Sequence, residues 1–228
     1  MTSAIIVAAG KGTRMGPNID KLFLKVNGRP VVAHTWERLA QNNSIDEIVL
    51  VVRHGMESAF NELASLCRFA KPFRLACGGR ERQDSVWNGL EALSPAADIV
   101  AIQDGARPCT GADLITRTIE AARKIGAAVA AQPITDTIKE SSNGKFIEHT
   151  LDRSRLWAVQ TPQTFRVELI RRALAEVRRR GIEVTDDTAA CELIGQPVEL
   201  VISRQPNPKI TRPEDVSYIE QLLSKRVP

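Results

Sequence analysis

Short apolar runs alternate with longer amphipathic stretches from the start of the chain to Gln132. The runs are rich in Val, Ile and Ala and have the length of strands, whereas the stretches between them repeat apolar residues every three or four positions, as helices do. Strands are predicted at residues 4–9, 47–52, 73–76, 98–103 and 127–132. Helices are predicted between them, at residues 31–41, 55–69, 83–93 and 113–125.

This alternation predicts an α/β fold built on a doubly wound, mostly parallel sheet. Strands that are apolar throughout are typical of a parallel sheet with helices on both faces. Ligands of such sheets bind outside the carboxyl ends of the strands. A length of 228 residues favours one domain spanning residues 1–228.

The pattern changes after Pro133. Residues 137–151 read as two short strands around Asn143-Gly144, a strong hairpin signal, and predict a projecting β-arm at about residues 137–153. An isolated hairpin is marginal in water, so we expect the arm to pack against a second copy of the chain in a homodimer. Beyond it we predict a strand at 156–160, a helix at 167–180, a short helix after Asp186, a strand near 198–202 and a helix from 213 to about 225.

Composition narrows the possible partners. Hydrophobic residues make up 43% and charged residues 25%, which are globular values, and no apolar run reaches the roughly 20 residues that span a bilayer. The start of the chain lacks the pattern of a secretory signal, so we expect a cytoplasmic protein without a membrane segment. A net charge of +4 with only 4% aromatics suits small phosphates better than nucleic acid.

The cysteines and histidines show no metal-binding motif. The cysteines have neither CxxC spacing nor a paired histidine motif, so neither a zinc site nor a disulfide framework is indicated, and we expect reduced, mostly buried thiols. The residues concerned are Cys67, Cys77, Cys109 and Cys191, with His34, His54 and His149.

A glycine-rich loop, A-A-G-K-G-T-R-M-G at residues 8–16, follows the first strand and precedes Asp20-Lys21. Glycines let backbone N–H groups approach phosphate oxygens, and Arg14 and Lys21 supply the charge to neutralise a triphosphate. Met15 stands where a dinucleotide fingerprint needs glycine, and the G-K-[S/T] of a Walker A motif is missing. An ordinary strand-to-helix turn, an NAD-binding oxidoreductase and a basic RNA-binding protein are the alternative interpretations.

The loop, with its downstream lysine, resembles the signature of nucleotidyltransferases that make sugar and polyol nucleotides. Further segments resemble, in order, the 2-C-methyl-D-erythritol 4-phosphate cytidylyltransferase family of the non-mevalonate isoprenoid pathway. They are G-G-R-E-R-Q-D-S-V at 78–86, D-G-A-R-P at 104–108, D-T-I-K at 136–139, D-R at 152–153, Q-T-P-Q at 160–163, T-D-D at 185–187 and K-I-T-R-P-E-D at 209–215.

The chain departs from the family pattern at Asp20, where proline is frequent, and at Gly105, where alanine is frequent. Ribitol 5-phosphate cytidylyltransferases share the loop, the D-x-x-R-P segment and the Q-T-P-Q segment, and are the alternative. The match at Arg153-x-x-Leu156-Trp157 favours the erythritol enzyme.

The resemblance implies that CMP passes from CTP to 2-C-methyl-D-erythritol 4-phosphate, giving 4-diphosphocytidyl-2-C-methyl-D-erythritol and pyrophosphate. The acceptor phosphate is largely dianionic at neutral pH, with a second pKa near ~6, and needs no general base. Positioned cations and Mg²⁺ then supply most of the catalysis, with Arg14 and Lys21 as the catalytic residues. We expect CTP to hold most of the Mg²⁺ coordination through its phosphates, with Asp104 as a further contact through water.

The resemblance also implies the binding residues. CTP would contact Ala8, Ala9, Gly10, Gly12, Gly78, Ser85 and Ala106. The acceptor would contact Asp104, Arg107, Thr185 and Lys209 from one chain, and Thr137 and Arg153 from the partner's arm. Alternative structural roles are a helix N-cap at Ser85 and a helix cap at Thr185 or Asp186.

Overall fold

The computed structural model describes residues 1–10 and 20–225. The strands are β1 (Thr2–Ala8), β2 (Lys25–Val26), β3 (Arg29–Pro30), β4 (Glu47–Val52), β5 (Phe73–Cys77), β6 (Ile99–Asp104), β7 (Ala127–Pro133), β8 (Lys139–Glu140), β9 (His149–Thr150), β10 (Trp157–Arg166) and β11 (Glu199–Ile202). The helices are α1 (Val31–Ala40), α2 (Glu57–Cys67), α3 (Arg82–Glu91), α4 (Ala112–Ile125), α5 (Val167–Arg180), α6 (Asp187–Glu192) and α7 (Asp215–Ser224). A short 3₁₀ helix spans Arg153–Arg155.

Within the described ranges, seven strands form one sheet in the order β11-β7-β10-β6-β1-β4-β5. β6, β1, β4 and β5 run parallel, as does the pair β11 and β7. β10 is antiparallel to both of its neighbours, β6 and β7. The predicted doubly wound, mostly parallel sheet is therefore confirmed.

Alternate side chains of the strands enter two separate cores. On β1, Ile6 packs on one face with Trp36 of α1 and Phe60 of α2, whereas Ile5 faces Leu90 of α3 and Leu174 of α5 on the other. Both β1 residues are fully buried. This period of two, with helices covering both faces, explains why the strands read as unbroken apolar runs.

The two longest described helices, α4 and α5, both end at glycines. α4 is followed by Gly126 with φ of 99°, and α5 by Gly181 with φ of 63°. Both are left-handed conformations that glycine adopts without a steric penalty, and each glycine N–H bonds back to the last helical turn.

Three regions differ from the sequence-based expectation. The strand predicted at 156–160 extends to Arg166, since β10 fills the space between β6 and β7 with an irregular register between Val159 and Gln163. A small hairpin of β2 and β3, turning at Asn27-Gly28 with positive φ, was not predicted. In the arm, β8 and β9 pair over only two residues each.

None of the described helices is long and apolar enough to cross a membrane.

Candidate active site

A cavity of about 620 Å³ opens where β1, β4, β5 and β6 end. Carboxyl ends of parallel strands meet at one edge of a sheet, so the loops that follow these strands form a common pocket. Its size is within the range of small-molecule sites. The described lining includes Val7, Ala9, Gly10, Lys21, Leu22, Arg53, His54, Gly78, Gly79, Arg80, Glu81, Arg82, Ser85, Asp104, Gly105, Ala106 and Lys209.

One wall of the cavity is made by backbone packed too closely for side chains. A Cβ atom on Gly78 would lie 2.3 Å from the Cβ of Ala9, which is far inside contact distance. The Gly78 N–H donates to the carbonyl of Val52 at 2.8 Å and so holds the loop after β5 against the end of β4. Glycine is therefore required at position 78, because the loop after β5 packs directly against the loop after β1. This wall of the cavity presents backbone instead of side chains.

Ser85 stabilises the same loop. Its hydroxyl accepts the N–H of Gly79 at 3.1 Å and donates to the carbonyl of Glu81 at 3.1 Å. The N-cap of α3 is Glu81, whose N–H donates to Asp84 Oδ2 at 3.1 Å. The helix N-cap interpretation of Ser85 is thus wrong, because Ser85 lies inside the helix.

Asp104 lies at the centre of a group of three cations. Its Oδ2 is 2.9 Å from Lys209 Nζ and 3.4 Å from Arg107 Nε, and its Oδ1 is 3.8 Å from Arg82 Nε. Burial alone would raise the pKa of this carboxyl, but Lys209, Arg82 and Arg107 outweigh burial and lower the pKa to about 2. Asp104 is consequently a carboxylate at neutral pH.

Arg82 connects this group to a second buried carboxylate, and sequence reasoning did not assign it a role. Its Nη1 lies 2.8 Å from Asp187 Oδ2 at the start of α6. Burial raises the pKa of Asp187, against the lowering effect of Arg82. The position of Arg82 within the G-G-R-E-R segment was the available signal, but only the folded chain shows which of its arginines turns inward.

The loop that carries Lys209 is held by Asn207. The Asn207 amide donates to the carbonyl of Thr161 at 2.8 Å, and its Oδ1 accepts from Thr110 Oγ1 at 2.9 Å. Arg107 adds a bond from Nη1 to the Asn207 carbonyl at 2.6 Å. These contacts fix the approach of Lys209 to Asp104.

The two departures from the family pattern have local structural partners. Asp20 forms an ion pair with Arg53, another cavity residue that sequence reasoning missed. A Cβ atom on Gly105 would lie 3.2 Å from the Val7 carbonyl oxygen and 3.3 Å from Leu22 Cδ2, so an alanine there needs a small shift of its neighbours. Lys21, next to Asp20, lines the cavity and donates from Nζ to the Ile210 carbonyl at 3.3 Å.

The cavity brings together part of the predicted site. The predicted residues in its lining are Ala9, Gly10, Lys21, Gly78, Ser85, Asp104, Ala106 and Lys209. Ala8, the last residue of β1, and Arg107, which contacts Asp104, are not in the described lining. Gly12 and Arg14 lie outside the described residues.

Three other predicted acceptor-binding residues are not in the described lining of this cavity. Thr137 and Arg153 are exposed residues of the arm, and Arg153 Nη1 donates to the Thr135 carbonyl at 2.6 Å. Thr185 is exposed just before α6. Asp186 is the N-cap of α6, accepting the Ala189 N–H at 2.9 Å, as the helix-cap interpretation proposed.

The doubly wound sheet and the cation-rich cavity at its carboxyl edge are those of an α/β nucleotidyltransferase. The family model for IspD, 2-C-methyl-D-erythritol 4-phosphate cytidylyltransferase, matches residues 2–225. The chain therefore belongs to the IspD family.

Similar proteins cover nearly the whole chain. The 2-C-methyl-D-erythritol 4-phosphate cytidylyltransferase of Geobacillus kaustophilus is 42% identical over 98% of this chain and 97% of its own length. That of Dehalococcoides mccartyi is 44% identical over 97% of this chain and 96% of its own length. The crystal structure of 4-diphosphocytidyl-2C-methyl-D-erythritol synthase from Anaerococcus prevotii superposes with a TM-score of 0.86 at 32% identity, covering 98% of this chain and 96% of that one. These similarities disfavour the ribitol alternative.

Proposed function

We propose that the chain transfers CMP from CTP to 2-C-methyl-D-erythritol 4-phosphate and releases pyrophosphate. The observation that carries this proposal is the cavity of an IspD-family fold in which Lys209, Arg82 and Arg107 surround an ionised Asp104, with Lys21 in the same lining. Such a cavity suits a substrate pair that carries several negative charges and a polyol.

The chemistry needs positioning more than proton transfer. An oxygen of the acceptor phosphate forms a bond to the α-phosphorus of CTP, and the bond to the β-phosphate breaks with its electron pair leaving on pyrophosphate. The nucleophile is already an anion, so the barrier comes from repulsion between polyanions and from charge that develops at the α-phosphoryl group. In this proposal Lys21 offsets that charge and Lys209 binds the acceptor phosphate, and both residues line the cavity.

Asp104 suits the polyol part of the acceptor. A carboxylate accepts hydrogen bonds from hydroxyl groups, and the low pKa of Asp104 keeps it in the accepting form. Its three cationic neighbours also hold the side chain in one orientation, which favours recognition of a fixed pattern of hydroxyls.

Mg²⁺ fits this cavity as an ion carried mainly by the triphosphate. Asp104 and Glu81 are the carboxylates of the described lining, fewer than a protein-only octahedral site would require. Asp104 would be the further contact to the ion through water, since its Oδ1 has the more distant cation, with Arg82 Nε at 3.8 Å. When bound, Mg²⁺ would neutralise phosphate charge and orient the triphosphate.

We propose a homodimer formed through the arm, in a cytoplasmic enzyme whose substrates are small phosphates. Phe146 and Ile147 on the arm are 73% and 66% exposed, and the two-residue pairing of β8 with β9 is too short to be stable alone. Covering these side chains with a second copy would stabilise the arm and bring Arg153 to a neighbouring site.

The test is pyrophosphate release with CTP and Mg²⁺ against a panel of phosphorylated polyols. We expect 2-C-methyl-D-erythritol 4-phosphate to give the highest kcat/KM, because polar groups arranged for one polyol are left unpaired by another, a difference that can reach roughly 10⁴-fold in a dry site. Equal or better turnover of D-ribitol 5-phosphate would overturn the acceptor assignment and leave the CTP assignment standing. No CTP-dependent release with any acceptor would overturn both.

A further inference from the structure

His54, Glu57 and Cys77 bring an imidazole, a carboxylate and a thiol together at the rim of the cavity. Their ligand atoms all lie within 4.8 Å of one another. Glu57 Oε1 lies 3.6 Å from Cys77 Sγ and 3.9 Å from His54 Nδ1. Among residues 1–10 and 20–225, this is the one group of three His, Cys, Asp or Glu side chains whose ligand atoms lie close enough together to bind a metal ion.

The sheet explains why three residues distant in sequence meet here. Val52 and Cys77 are register partners on the parallel strands β4 and β5, so the chain leaves both strands at the same edge. His54 follows Val52 by two positions, and Glu57 opens α2 on the side that faces the end of β5. Because one ligand comes from another strand, the cluster has no motif in the sequence.

We propose that His54, Glu57 and Cys77 form a binding site for a thiophilic divalent cation of the zinc type. Bonds of about 2.3 Å to sulfur and about 2.0–2.2 Å to nitrogen and oxygen put the ligand atoms of a tetrahedral site about 3.3–3.7 Å apart, with the pairs that include sulfur at the upper end. The sulfur-to-oxygen separation of 3.6 Å lies within this range, and the nitrogen-to-oxygen separation of 3.9 Å exceeds it by a few tenths of an ångström. The imidazole and the thiol lie within 4.8 Å of each other, and rotation of the exposed His54 side chain can shorten both of its separations. The fourth position is left for water, as in sites with three protein ligands.

The donor set selects against the Mg²⁺ that serves the transfer reaction. Mg²⁺ takes oxygen ligands, whereas thiolate and imidazole favour zinc and similar ions. In the metal-free protein the Cys77 thiol donates to the Glu57 carboxylate, and this hydrogen bond raises the pKa of the thiol. A bound cation displaces that proton to solvent and takes its place between the sulfur and the carboxylate.

The site is separate from the groups assigned to the transfer reaction but touches their cavity. His54 belongs to the described cavity lining, and Cys77 directly precedes Gly78 in the backbone wall. The His54 side chain is 97% exposed, so it reaches a cation without moving other residues.

Co²⁺ titration of the full chain, with thiols reduced and metals first removed by a chelator, tests the proposal. Tetrahedral thiolate coordination gives Co²⁺ intense visible bands and a near-ultraviolet sulfur-to-cobalt charge-transfer band. We expect one Co²⁺ per chain with these bands, and their loss when Zn²⁺ is added in equal amount. Cys77→Ser should abolish the charge-transfer band, and His54→Gln and Glu57→Gln should each weaken Co²⁺ binding by about tenfold or more.

Cys67→Ser is the matched control, because Cys67 is a second solvent-accessible thiol, half-buried at the end of α2, and contacts Arg29 instead of this cluster. It should bind Co²⁺ like the unmodified chain, and circular dichroism should show all variants folded. Absence of the charge-transfer band in the unmodified chain, or its survival in Cys77→Ser, overturns the site. Binding that is unaffected by both His54→Gln and Glu57→Gln also overturns it, since a thiol alone then accounts for the signal.

Discussion

Lys209 Nζ lies 2.9 Å from Asp104 Oδ2, so a residue of the loop between β11 and α7 neutralises a carboxylate at the end of β6. Together with Arg82 and Arg107 it lowers the pKa of Asp104 to about 2 from 3.8, in spite of burial. The position of Lys209 in the folded chain therefore helps to set the charge state of Asp104.

The first prediction concerns acid stability. A carboxyl whose pKa is lower in the folded chain stabilises the fold above the unfolded pKa, and this stabilisation is lost as pH falls from about 4 to about 2. A shift from 3.8 to about 2 corresponds to about 2 kcal/mol. Asp104→Asn should therefore lower the free energy of unfolding by about 2 kcal/mol at pH 7, with a difference from the unmodified chain that shrinks below pH 4.

Urea unfolding at pH 7, 5, 4 and 3 measures this difference. Asp113→Asn is the control, since Asp113 is a surface residue with 64% of its side chain exposed and pairs only within α4. It should change stability little at any of these pH values. A constant difference for Asp104→Asn across the pH range would contradict the assignment of this ionisation.

The second prediction concerns the backbone wall. Gly78→Ala places a methyl group 2.3 Å from the Cβ of Ala9, so the two loops must separate. We expect the KM for CTP to rise by about tenfold or more and the free energy of unfolding to fall by about 1–3 kcal/mol. Steady-state kinetics and urea unfolding give both quantities.

Gly111→Ala is the matched control for this substitution. Its nearest neighbour to a new Cβ is Gln205 Oε1 at 3.7 Å, and Gly111 precedes α4 outside the cavity lining. CTP affinity should be unchanged in this variant. If Gly78→Ala also bound CTP normally, the wall would have no part in nucleotide binding.

Most of the fold could be predicted because the parallel strands carry their own signal. β1 and β4 are buried on both faces and read as continuous apolar runs, and α5 was predicted with its observed bounds of Val167–Arg180. β10 was predicted too short, because Gln160, Thr161 and Gln163 are polar although the last two are buried. Thr161 Oγ1 accepts the N–H of Asp104 at the end of β6, and Gln163 Oε1 accepts the N–H of Asp187 at the start of α6. Such tertiary contacts leave no periodic pattern in the sequence.

The candidate site, like the fold, could be predicted only in part from the sequence. Asp104 and Lys209 could be proposed because they fall in recognisable segments, but nothing in the sequence indicated that they form an ion pair. Arg82 and Arg53 were missed because a fully exposed arginine and a half-buried one that lines a cavity look alike in sequence. Local motifs thus identified residue types, and the sheet determined which of them meet.

The third prediction concerns Lys21. Lys21→Ala should lower kcat by roughly 10²- to 10³-fold, the scale for loss of one positioned group that stabilises developing charge, with little change in folding. Lys25→Ala is the control, because Lys25 is exposed on β2 close in sequence. Pyrophosphate release under saturating CTP measures kcat, and activity within threefold of the unmodified chain would remove Lys21 from the mechanism.

The last prediction tests whether the arm completes a partner's site. In a symmetric dimer each site would combine the cavity of one protomer with Arg153 from the other. Lys21→Ala and Arg153→Ala chains should each be nearly inactive as homodimers. In a heterodimer of the two, one site carries both substitutions and the other carries neither, so about half of the unmodified activity should return.

Differently tagged chains, purified in tandem, provide heterodimers free of the parents. Arg155→Ala, in the same 3₁₀ helix and also exposed, should keep its activity and shows that the arm tolerates a lost arginine. If Lys21 and Arg153 belonged to the same chain's site, each site of the heterodimer would carry one substitution and activity would not return. Heterodimers no more active than the parent homodimers would therefore contradict a site shared between two chains.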